Sequence, residues 1–146
     1  MEWSRLVAGS LLTSVILLGV GTLFHFTIPV LAPQLEQEYR NAALFRPWEG
    51  WTRLYMLVHP LLYGWVFATV FLLVQAHVGT ANLGGIRDGL AYGIAVFIVG
   101  SLPIYALNFA SFSVSAGVVL AWIIQSLCQY AAAGLVLGWC CGRSPG

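Results

Sequence analysis

The residues of this chain able to bind a group or move a proton in an apolar setting are few, and they fall into two sets. His25 lies about seven residues before the end of one long apolar run, and His59 about six residues after the start of the next. If these runs are consecutive antiparallel helices, both imidazoles lie about 10 Å below the same surface at 1.5 Å per residue. Two neutral imidazoles at one depth are what a bis-His haem or a transition metal needs, and Gly21 and Gly64 leave room nearby for a flat ligand. The competing reading is structural: His59 caps a helix before Pro60, and His25 bonds to a neighbour's backbone. His77 falls at the opposite surface as an interfacial residue.

The second set is amide and aromatic. Trp122, Gln125, Ser126 and Gln129 recur at helical spacing with Tyr130 beside them. Their polar groups are costly in lipid and should face the bundle interior or a partner subunit. Together with Tyr105 and Asn108, and with Ser101 nearby, Trp122, Gln125 and Gln129 could line a small polar cavity for a lipid headgroup, a quinone or a pigment. A plain interhelical hydrogen-bond network accounts for the same residues.

Beyond these sets the sequence offers little chemistry. No Asp, Glu, Lys or Arg lies deep within an apolar run, which weighs against a charge-coupled transporter and removes the acid and base most hydrolytic chemistry uses. No phosphate-binding glycine loop, HExxH or nucleophile elbow appears, so no catalytic residue is assigned. Cys128, Cys140 and Cys141 form an odd set without the spacing of a disulfide framework or a zinc knuckle, and no metal site is assigned.

The elements that must position these residues follow from composition. Of 146 residues, 60% are apolar and 8% charged, and the mean hydropathy is +0.86. Six arginines and five acids cannot cover a soluble domain, whereas an exterior facing lipid needs no such covering. The net charge of +1 gives no signal for nucleic acid. A hydrocarbon layer about 30 Å thick asks for about 20 apolar residues of helix. Four runs satisfy it, roughly 6–31, 54–77, 89–107 and 114–139, predicting an all-α integral membrane four-helix bundle as a single transmembrane domain. The first run follows Arg5 and ends near Val30-Leu31-Ala32, but it is about twice the length of a signal-peptide core and Pro33 opposes cleavage, so it reads as a retained span.

Residues 33–53 form the one sizeable extramembrane segment. Leu35, Tyr39 and Ala42 recur at helical spacing while Glu36 and Arg40 can pair, which predicts a short amphipathic surface helix broken by Phe45-Arg46-Pro47-Trp48. Trp48, Trp51 and Tyr55 then form an interfacial aromatic belt. The connection from Val78 to Asp88 reads as a tight polar turn, and the one near 108–113 is short and uncharged. Arginines are tied at three on each side; the position of Arg5, Arg87 and Arg143 beside spans favours cytoplasmic termini. Packing in lipid relies on small residues and polar cross-links. Gly89 and Gly93 form one GxxxG and Gly134 and Gly138 another, read as packing within the chain rather than as a dimer seam; Pro60 and Pro103 should kink their helices.

Phe45-Arg46-Pro47-Trp48, His59-Pro60, Ser101-Leu102-Pro103-Ile104-Tyr105, Phe109 to Ser115 and the Trp122 to Gly138 stretch resemble small, uncharacterised four-span bacterial integral membrane proteins over about two thirds of the chain. The resemblance implies the fold and a bacterial inner membrane, and transfers no functional residue. The leading expectation is a non-catalytic membrane subunit that stabilises or fills a larger membrane protein complex or a homo-oligomer. The alternatives are a haem- or pigment-binding redox or light-harvesting bundle using His25 and His59, and a small facilitator or lipid- or quinone-binding protein.

Overall fold

Lipid supplies no hydrogen-bond partners, so an apolar chain crossing it must satisfy its own backbone, and the helix does this within one segment. The computed structural model describes residues 3–46, 49–77 and 85–141, and its described residues are all-α. Pro47 and Trp48, the second connection up to Gly84, and Arg143 lie outside them. Six α-helices and one π-helical turn are described, and they make up one short helix and four spans long and apolar enough to cross a membrane. Helix α1 is Trp3–Leu31, α2 is Pro33–Tyr39 and α3 is Trp51–His77. The third span joins α4 (Ile86–Val96), a π-helical turn (Phe97–Ser101) and α5 (Leu102–Ser111), and α6 is Ala116–Cys141. This is a multi-pass membrane protein.

In the extramembrane segment α2 takes the first seven residues, opened by Pro33 and held on one face by the Arg40–Glu36 ion pair at 2.7 Å, and the last three already belong to α3. Gly50 precedes α3 at φ +53°, a left-handed geometry that glycine adopts without strain. In the third span the Pro103 ring has no N–H, and just before it the helix widens, Leu102 N–H bonding to the Phe97 carbonyl five residues back.

Helix α1 packs between α3 and α6, and α6 packs on α4. Close approach is made by glycine. A Cβ on Gly89 would collide with the Gly134 carbonyl and lie 2.7 Å from Gly138 Cα; one on Gly134 would collide with the Gly89 carbonyl. Gly93 likewise lies against the Tyr130 carbonyl. Backbone thus touches backbone along the α4–α6 seam, where dispersion and weak Cα–H···O contacts replace the hydrophobic drive that lipid does not provide. At Gly64, α3 meets Ser10 and Ser14 of α1, and the Ser14 hydroxyl bonds to the Ser10 carbonyl at 2.8 Å.

Burial is concentrated at the end of the bundle that carries α1's first residues and α6's last. Leu6, Leu17, Phe67, Ala68, Phe71, Ala133, Leu137 and Cys141 form one cluster there, and the Tyr92 hydroxyl donates to the Phe67 carbonyl at 2.8 Å. At the other end, none of residues 18–31, 51–63 or 102–113 is buried. A smaller cluster of Val114, Val118 and Val119 does form at that end, covered by Leu35 and Tyr39 of α2 and by Phe45 and Trp122.

Candidate functional site

Polar contacts tie the start of α6 to α2. Ser115 caps the helix, its hydroxyl accepting from Val118 N–H at 3.3 Å. Ser115's own N–H donates to the Glu38 carboxylate of α2 at 2.7 Å. A capping box normally places that carboxylate three residues into the same helix; here α2 supplies it from 77 residues away. The contact fixes α2 and the following loop over α6, with Leu35 against Gly117 and the Phe45 ring 6.1 Å from Trp122. Burial pushes the Tyr39 hydroxyl up to about 12, a rise opposed by a hydrogen bond with the Trp122 side chain.

Beside this joint lies a groove of about 440 Å³, lined by Phe45, Asn108, Ser111, Phe112, Ser113 and Trp122 among others. It brings together Asn108 and Trp122, and Tyr105 stands 6.2 Å from the Trp122 ring. Tyr105 is held by a hydrogen bond to Ser126, while Ser101 donates to the Tyr130 hydroxyl at 3.0 Å. The two glutamines lie elsewhere. Gln129 donates through Nε2 to the Leu17 carbonyl of α1 at 2.7 Å, and both amides sit where a side chain on Gly21 would have to go. The five residues Tyr105, Asn108, Trp122, Gln125 and Gln129 therefore divide between an α5-facing groove and an α1-facing cross-link.

The histidines are set by the α1–α3 register. Gly64 lies on Ser10 and Ser14, Ser14 reaches the Leu61 carbonyl, and Gly9 faces Ala68. His59 is then level with about Leu17, and His25 lies about 12 Å further along the axis at 1.5 Å per residue. Equal depth, expected from the ends of the apolar runs, does not hold, because the glycine contact and not the run ends fixes the register. Both imidazoles are on the outside of the bundle. His25 is edge-on to Phe26, and His59 sits 5.9 Å from each of the Tyr55 and Tyr63 rings.

Tyr55, His59, Tyr63, Phe67 and Phe71 form a column at every fourth residue of α3, which their spacing alone would have revealed. The column starts exposed and ends in the core, where Phe67 stacks on Tyr130 at 5.9 Å and lies 4.8 Å from Tyr92. The Glu38 contact left no such signal. Cys140 and Cys141 lie with their sulfurs 3.4 Å apart, Cys141 pointing to the Arg5 carbonyl, while Cys128 is exposed. Among the described residues no group of three His, Cys, Asp or Glu side chains is placed to hold a metal ion. Ser10 Oγ and Thr13 Oγ1 are buried without a hydrogen-bond partner there.

Compared with protein-family models, with curated proteins and with solved structures, the chain matches none. The four-span architecture stands on its own geometry.

Proposed function

We propose that this protein is a small, non-catalytic membrane subunit that packs into a larger membrane assembly. The observation that carries the reading is the half-formed bundle: residues 51–63 of α3 and 18–31 of α1 have no buried position on any face. Apolar side chains there are at ease in lipid, but His59 also points outward, several residues inside its helix. An imidazole at that depth is costly against hydrocarbon, and a neighbouring helix of a larger assembly would satisfy it. Extraction in a mild detergent followed by native mass spectrometry tests this. A stoichiometric partner, or a homo-oligomer cross-linked through residues 51–63, is the expected result; a lone monomer with no co-purifying chain ends the reading.

The groove at Trp122 and Asn108 supports a second reading, a site for a lipid or quinone headgroup. Replacing both (Asn108→Leu with Trp122→Phe) should then lower the lipid or quinone retained on purification. An unchanged content rules it out.

A further inference from the structure

A second groove, of about 490 Å³, opens at the start of α3 and is lined by Arg46, Trp51, Thr52, Leu54, Tyr55 and Val58. Its lining is graded. Trp51, Leu54, Tyr55 and Val58 fall at the i, i+3, i+4, i+7 positions that share one helix face, so an apolar strip runs about 10 Å down the span from the first turn. At the top of the strip, the loop before α3 brings back Arg46, and Thr52 adds a hydroxyl. Arg46 and Trp51 are both exposed. This is a cation, a hydroxyl, an indole and a phenol at the headgroup level above two aliphatic side chains at the acyl level.

We infer that this groove holds one anionic phospholipid of the surrounding bilayer, its phosphate on the Arg46 guanidinium and the Thr52 hydroxyl and one acyl chain along Leu54 and Val58. The choice of occupant rests on complementarity. A guanidinium is a planar fork suited to phosphate oxygens, Trp and Tyr are the side chains that settle at the headgroup level, and the lower strip offers an incoming molecule only apolar contact. The charge near the groove is mixed: Arg53 follows Thr52, and Glu49 precedes it, its carbonyl accepting from Thr52 N–H at 3.1 Å. Glu49 therefore moderates the attraction, and its neutralisation should strengthen binding. The Arg40 guanidinium is a built-in control, because it is already paired with Glu36.

The test is native mass spectrometry of the delipidated full chain in detergent, titrated separately with phosphatidylglycerol and phosphatidylcholine of the same acyl composition. One phosphatidylglycerol should bind in preference to phosphatidylcholine. Arg46→Gln should weaken that binding about fivefold, the size of one lost basic contact at a membrane surface, Arg40→Gln should leave it unchanged, and Glu49→Gln should tighten it. Equal affinity for the two lipids, or an Arg46→Gln protein that keeps the preference, overturns the proposal. A second readout leaves Arg46 in place: phosphatidylglycerol brominated near the headgroup should quench the fluorescence that Trp51→Phe removes more than brominated phosphatidylcholine does, and equal quenching also overturns the proposal.

Discussion

The two halves of this bundle are built from the same kind of apolar helix and end in opposite states. The half carrying the start of α1 and the end of α6 is closed: Gly9, Gly89, Gly93, Gly134 and Gly138 each lie against a neighbouring helix, and the large buried side chains fill the space between. The half carrying α2 is open, and every proline inside a described span lies in it: Pro29, Pro60 and Pro103. In water both halves would close, because any apolar surface gains by leaving the solvent. In lipid that gain is absent, so only the half whose residues are small enough for backbone contact closes by itself. The difference teaches that hydrophobicity here chooses the medium and residue size chooses the partner.

Substitutions should separate the halves sharply. Gly134→Leu places its side chain into the Gly89 carbonyl, where backbone cannot yield as a flexible side chain can. We expect a loss of about 3 kcal/mol or more, read as a lower midpoint of thermal unfolding in detergent. Gly19→Leu, at an α1 position with nothing within 4 Å, should leave that midpoint unchanged. Equal damage from both would abolish the distinction between a closed and an open half.

A smaller effect tests the α2 joint. Glu38→Ala removes the acceptor of the Ser115 N–H and should cost about 1 kcal/mol, the size of a lost helix cap. Hydrogen exchange should then speed up in α2 and at the first turn of α6 while the glycine seam stays protected. Uniform loss of protection would mean that the two clusters open as one unit. Smaller still is Gln129→Leu, which deletes the hydrogen bond donated to the Leu17 carbonyl and should cost about 0.6 kcal/mol, the average of side-chain hydrogen bonds between membrane helices. A cost several times larger would make this cross-link, rather than the packing of Gly9 on Leu137 and Cys141, the principal tie between α1 and α6.

Much of the architecture can be read in the residue order, and the reason is local. Four apolar runs are long enough to cross a bilayer, Leu35 and Tyr39 recur at helical spacing, and Glu36 stands one turn before Arg40. Helix ends were less legible: α3 begins at Trp51, ahead of its apolar run, because an interfacial helix does not wait for the hydrocarbon edge. The polar set was legible as residue types and not as a site. Tyr105, Asn108 and Trp122 gather near one groove while Gln129 turns to α1, a division fixed by which helix lies on each side of α6.

The amino-acid order alone determined the solvent and the secondary structure, since 60% apolar content in long runs leaves lipid as the medium, and lipid leaves the helix as the way to satisfy the backbone. It did not determine register. A GxxxG shows that a helix has a flat face without naming what lies on it; the folded chain decided that Gly89 meets Gly134 and that Gly64 meets Ser14. That last contact, a few ångströms of sliding between α1 and α3, set the levels of His25 and His59, because the relative height of two packed helices depends on where their backbones come closest.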